Sequence, residues 1–172
     1  MADLPADHRM LGFGVAAAVL LADQISKWWI MAVVELPVRG LIAITSFFDL
    51  RWVENYGVSM GFLVAGSNRE RWLLVGATAA IAIGIIVWLW REKNRADVVA
   101  LALVLGGAIG NIIDRTRLGY VADFLGPHIG GWYPFLVFNV ADAAITIGVV
   151  ILVLRALLAR EHKAPAENID AV

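Results

Sequence analysis

The run WLLVGATAAIAIGIIVWLW, from Trp72 to Trp90, holds no charge and is closed by Arg71 on one side and Arg91 on the other. A helix crossing the hydrocarbon of a bilayer needs ~20 mostly apolar residues, so the stretch reads as a transmembrane span. The composition of the whole chain agrees. Of its 172 residues 60% are hydrophobic and 17% charged, and the mean hydropathy is +0.76. A soluble globule of this size needs more polar surface, so lipid is the expected solvent for much of the chain.

Three further segments qualify on either side of this one. The first, Met10–Val34, is too long for the apolar region of a cleavable signal peptide and contains Asp23 and Lys27. Asp3 and Asp7 also precede its first basic residue, Arg9, so a retained helix is expected. The third, Val98–Ile113, is short and closes on Asn111, Asp114 and Arg115. The fourth runs from about Phe135 to Leu158 and is interrupted by Asn139 and Asp142. The expectation is therefore a single integral membrane domain, with spans at about 10–34, 72–90, 98–113 and 135–158 and a disordered tail at about 161–172.

Four spans put both termini on one side. Counting Arg155 near the inner end of the fourth span, Lys and Arg divide seven to six between that side and the other, but the loop 91–97 packs Arg91, Lys93 and Arg95 together. The density of positive charge places the termini and that loop in the cytoplasm. The long segment after the first span then lies outside. In it Phe48-Asp-Leu-Arg-Trp52 alternates apolar and polar residues, as a strand with one greasy face does. Asn55-Tyr-Gly57 reads as a turn, and Gly61 and Gly66 add bends, so a small β element is expected at about 40–66.

Charge inside apolar spans costs a few kcal/mol or more and normally faces the bundle interior with a partner. Asp23 and Lys27, four apart, share one helical face. An intrahelical ion pair is the plainest account of them. In Gly106-Gly-Ala-Ile-Gly110-Asn-Ile-Ile-Asp114-Arg115 the glycines make a small-xxx-small face for close packing. Asn111, Asp114 and Arg115 follow on one side of the next turn, either as an interfacial anchor or with Asn111 and Arg115 hydrogen-bonding a substrate backbone or head group. Asp123 and Asp142 are 19 residues apart, yet four-span topology sets both at the outer side, with Asn139 one turn from Asp142. Two carboxylates in contact share one proton, and such a pair can activate water and polarise a carbonyl. Two separate acids used for packing or proton relay fit the same spacing. A proton-coupled transporter using Asp23, Lys27 and Asp142 is one competing class, and a membrane scaffold another.

Other chemistries find little purchase. There is no cysteine, which removes disulfides, thiolate nucleophiles and lipidation of this chain on an N-terminal cysteine. His8, His128 and His162 are scattered and no His-Glu-x-x-His occurs, so no metal or other cofactor is expected. The net charge of −1 suggests no nucleic-acid partner.

Five blocks in order, Asp23-Gln-Ile-Ser-Lys27, Asn55-Tyr-Gly57, Gly110-Asn-Ile-Ile-Asp-Arg115, Val121-Ala-Asp-Phe124 and Phe138-Asn-Val-Ala-Asp142, resemble lipoprotein signal peptidase, the type II signal peptidase of bacteria. The resemblance implies an all-α membrane fold of four helices with a small periplasmic β-sheet, a cradle, between the first two. It implies an intramembrane aspartyl endopeptidase of the inner membrane whose catalytic pair is Asp123 and Asp142. Its substrates would be prolipoproteins, cut before a cysteine that bears a diacylglyceryl group. Asn55, Gly57, Asn111, Asp114, Arg115 and Asn139 would line or support the site, with Asp23 and Lys27 behind them. A monomer in contact with membrane lipid is expected. Met60 departs from the phenylalanine more usual in the segment after Asn55-x-Gly57.

Overall fold

The computed structural model describes residues 8–57 and 68–161. Helix α1 (Arg9–Ala32) is followed by the short α2 (Leu36–Arg39) and strands β1 (Leu41–Thr45) and β2 (Phe48–Asn55). Then come α3 (Asn68–Arg91), α4 (Arg95–Arg117), β3 (Val121–Pro127) and α5 (Val140–Glu161). α1, α3, α4 and α5 are long and apolar enough to cross a membrane, so this is a multi-pass membrane protein. The expectations for Met60, Gly61 and Gly66, and for the tail beyond Glu161, lie outside the described residues.

α4 is the hub, packed against each of the other three long helices. Small residues make that possible. Ala100, Leu101, Ala102, Leu105 and Ala108 are all buried. A Cβ on Gly106 would stand 2.5 Å from the carbonyl oxygen of Ala16 in α1, and one on Gly107 would collide with the carbonyl of Ala141 in α5. Only glycine lets three backbones meet this closely. The outer faces of α1, α3 and α5 instead present residues such as Ile25, Trp28, Leu73, Ile83, Val150 and Leu154, which are exposed as lipid-facing side chains should be.

At the end of α1 the chain passes through Glu35 at φ 54°, the one left-handed non-glycine among the described residues, and enters α2. β1 pairs antiparallel with β2, and β2 with β3. The expected sheet is thus present, with two strands from the segment between α1 and α3. Its third strand, however, is supplied from beyond α4 and carries Asp123. The alternation read in Phe48–Trp52 is only partly followed. Arg51 is exposed, but Asp49 is buried.

α5 also begins later than its hydropathy suggested. Residues Phe135–Phe138 are apolar but not helical, and Phe138 pairs with Leu125 of β3. The helix starts at Val140, so Asp142 stands in its first turn rather than two turns below its start.

Candidate active site

Asn139 explains where α5 starts. Its Oδ1 accepts the backbone N–H of Asp142 at 2.9 Å, and the carboxylate of Asp142 accepts the backbone N–H of Asn139 at 3.4 Å. This reciprocal pair is a capping box, with Asn139 at the N-cap and Asp142 three residues on. Because the amide oxygen is engaged by the helix, the amide nitrogen is left to point elsewhere. It donates to Asp123 Oδ1 at 2.7 Å. One asparagine therefore bonds both acids, and sets each with a different atom.

Asp123 is fully buried in β3. Its second oxygen accepts from Asn55 Nδ2 at 3.0 Å. Asn55 is itself fixed, because the N–H of Gly57 donates to its Oδ1 at 2.9 Å. That turn needs φ +103° at residue 57, which glycine adopts freely. Asp142 Oδ1 accepts from Asn111 Nδ2 at 2.8 Å. Asn111 Oδ1 lies 3.5 Å from Lys27 Nζ and 3.4 Å from Asn139 Nδ2. Among the described residues the two carboxylates are joined through Asn139 and not by a hydrogen bond of their own.

Burial pushes the Asp123 carboxyl up from the ordinary value of 3.8 to about 7, and the charge of Asp142 pushes the same way. The bonds from Asn55 and Asn139 and the charge of Lys27 pull it back. The strand that holds it lies between the spanning helices. A carboxyl raised in this way beside a second acid is the arrangement in which one proton serves two acids.

Behind the acids, the expected Asp23–Lys27 pair is part of a larger cluster. Lys27 Nζ is 2.8 Å from Asp23 Oδ2 and 2.6 Å from Asp114 Oδ2. Each of those carboxylates also holds a backbone. Asp23 accepts the N–H of Ala141 at 3.0 Å, and Asp114 accepts the N–H of Ala122 at 3.2 Å. Ala122 and Ala141 are the residues immediately before Asp123 and Asp142. One lysine, through two acids, thus ties α1 and α4 to the two backbones that carry the pair. Gln24 joins in, donating to Asp23 Oδ2 and Asp114 Oδ1, both at 3.1 Å. It sits inside the first sequence block, yet nothing in the spacing alone marks it.

Arg115 projects from α4 into the field of Asp142, Asp123 and Asp114. It forms no hydrogen bond or close ion pair among the described residues, and its Nε is buried without a partner. A guanidinium so placed is free to take an acceptor from a bound molecule.

Two grooves converge here. One, of about 640 Å³, is lined by Pro134, Phe138, Asp142, Thr146 and Ile147 and is largely apolar. The other, of about 520 Å³, is lined by Arg51, Glu54, Asn55, Tyr56, Asp123 and Tyr133 and is more polar. Phe135 and Leu136 border both. Local patterning assigned Phe135 to a helix, so the sequence held no signal for this divider.

A family model described as signal peptidase (SPase) II matches residues 15–158. The chain is 78% identical over 172 residues to a lipoprotein signal peptidase of Rhizorhabdus wittichii, covering all of both chains. It is 48% identical over 159 residues to one of Sphingopyxis alaskensis, covering 91% of this chain and 92% of that one. Among solved structures it is similar to a bacterial membrane enzyme determined by the in meso method at 2.3 Å resolution. There the TM-score is 0.76 and the identity 28%, over 92% of this chain and 94% of the other.

Proposed function

The chain belongs to the signal peptidase II family, membrane proteases of lipoprotein processing, and on that premise we propose that Asp123 and Asp142 form its catalytic pair. The observation that carries the proposal is the double engagement of Asn139, which bonds Asp123 with its amide nitrogen and Asp142 with its amide oxygen and backbone N–H. At rest Asp123 keeps the shared proton, in keeping with its raised pKa of about 7. Asp142 takes a proton from water as the oxygen attacks the scissile carbonyl, while Asp123 gives its proton to the carbonyl oxygen. The tetrahedral diol then collapses. Its hydroxyl returns a proton to Asp123, Asp142 protonates the departing amine, and the C–N bond breaks. Arg115 and Asn111 steady the substrate, the former through an acceptor on its backbone or head group.

The substrate is a prolipoprotein cut before its diacylglyceryl-modified cysteine. The apolar groove at Asp142 suits acyl chains that enter sideways from lipid, and the polar groove at Asp123 suits the peptide. The enzyme works as a monomeric, single-domain protein of the bacterial inner membrane. Its termini are cytoplasmic and its site faces the outer side, in line with the dense cationic loop Arg91–Arg95 at the opposite end.

The test is to place Asp123→Asn and Asp142→Asn separately in the full chain and measure cleavage of a diacylglyceryl-modified substrate in vesicles. Each variant is expected to accumulate in the membrane and to lose cleavage by at least about a thousandfold, as loss of a group made essential by the chemistry does. Near-normal turnover in either would overturn the pair.

A further inference from the structure

Asp49 is a buried carboxylate that takes no part in the network around Asp123 and Asp142. It lies in β2 and is 5% exposed. Tyr133 donates its hydroxyl to Asp49 Oδ2 at 2.6 Å, and His128 Nε2 stands 3.2 Å from Oδ1. Arg51, two residues further along β2, sets its guanidinium 4.9 Å from the centre of the Tyr133 ring. The rings of His128 and Tyr133 are 5.3 Å apart. These side chains join β2 to the connection between β3 and α5.

That connection is unevenly held. At one end His128 N–H donates to Phe47 O at 2.8 Å, and Ile129 and Trp132 exchange two backbone bonds. At the other end Phe138 pairs with Leu125. Between them, residues 133–137 make no backbone hydrogen bond among the described residues, and Pro134 has no N–H to offer. A strip without backbone bonds samples many conformations unless a side chain holds it. Among the described residues the hydroxyl of Tyr133, bonded to Asp49 and close to Arg51, is the polar hold on this strip. Yet this strip carries Phe135 and Leu136, 65% and 91% exposed, which stand between the two grooves.

We propose that Asp49 and Tyr133 are positioning residues for substrate: their hydrogen bond holds the 133–137 strip so that Phe135 and Leu136 part the two grooves. Acyl chains are then steered toward Asp142 and peptide toward Asp123, and the scissile bond arrives between them. The inference rests on the peptidase reading above. It assigns to a buried acid outside the catalytic network a role in binding and not in bond cleavage, because the tether touches neither Asp123, Asp142 nor the groups bonded to them.

The experiment is steady-state cleavage of a diacylglyceryl-modified peptide by the full-length protein in vesicles. Tyr133→Phe keeps the ring on Arg51 and removes only the hydroxyl. It is expected to raise KM about fivefold or more while kcat stays within about twofold, since a loosened wall weakens binding before it touches chemistry. Asp49→Leu should reproduce that split. Asp49→Asn, whose amide oxygen still accepts from Tyr133, should restore KM to within about twofold of the parent. An unchanged KM in Tyr133→Phe overturns the proposal, and so does a fall in kcat alone. If Asp49→Leu fails to accumulate, the Tyr133→Phe and Asp49→Asn pair still decides it. Full activity of Asp123→Asn, in contrast, would remove the peptidase reading itself and leave the tether without a substrate to position.

Discussion

Helix α4 carries an acid–base contact near each end, one with α1 and one with α5, and the two are built differently. Near one end Lys27 of α1 sits between Asp23 and Asp114, with side chains 2%, 0% and 4% exposed. Near the other, Arg155 of α5 donates from Nε and Nη2 to the two carboxylate oxygens of Asp97 in α4, with side chains 37% and 23% exposed. Both look like helix clamps. Only the first is also bonded to backbone, at Ala122 and Ala141, and only the first stands behind the proposed catalytic pair. In the dry cluster, charge has been made part of the framework of a site. In the wetter one it pins two helices together, and water shares the work.

The sharpest way to break this contrast is to remove the lysine. Lys27→Ala leaves two buried carboxylates facing each other without a cation, a change that costs about 3–5 kcal/mol in comparable buried clusters. Thermal unfolding in detergent should show a loss of that order, together with a fall in cleavage of about tenfold or more. A variant within 1 kcal/mol of the parent, on the scale of exposed pairs, would erase the distinction between the two ends.

The pH dependence sharpens the same contrast. Cleavage should fall as the pH rises through about 7, where Asp123 loses its proton, by about tenfold per unit once the pair is fully ionised. Lys27 pulls the Asp123 pKa down, so in Lys27→Ala the falling limb of any residual activity should move to higher pH. Removing Arg155 should leave that limb in place. The linked effect on stability has a definite sign. The folded pKa is raised, so the folded state holds a proton that the unfolded chain has already released. This contribution is complete below about 4 and is lost as the pH rises through about 7. Unfolding free energies measured across that window should decline.

The smallest effect belongs to the wetter pair. Arg155→Ala should leave thermal unfolding close to that of the parent and cleavage within about twofold of it. A loss matching that of Lys27→Ala would mean that exposure does not separate the two contacts.

Much of the architecture was legible along the chain because it is local. A charge-free run such as Trp72–Trp90 can find its solvent only in lipid, whatever the rest of the fold does. The start of α5 was legible in principle as well. Asn139-Val-Ala-Asp142 has the spacing of a capping box, but the apolar residues Phe135–Phe138 ahead of it extended the hydropathic run and hid the boundary. β3 had no comparable signal, since Val121-Ala-Asp-Phe124 neither alternates cleanly nor sits near the other strands in sequence. Asp49 fell on the polar side of an alternating strand, and what buries it comes from residues 128 and 133.

By itself the sequence determined the membrane spans, the polar residues that had to face inward and the ordered blocks that carry the family. Each of these follows from the cost of placing a residue type in lipid or from residues a few positions apart. Only the tertiary structure decided that Asn139 would bond both Asp123 and Asp142, that Lys27 would hold the backbones leading to both acids, and that Phe135 and Leu136 would divide two grooves. Those relations join α1, β2, β3, α4 and α5, and no local rule brings such distant segments together. The close packing of glycine-bearing helices around α4 does so, by leaving buried polar groups no partners except one another.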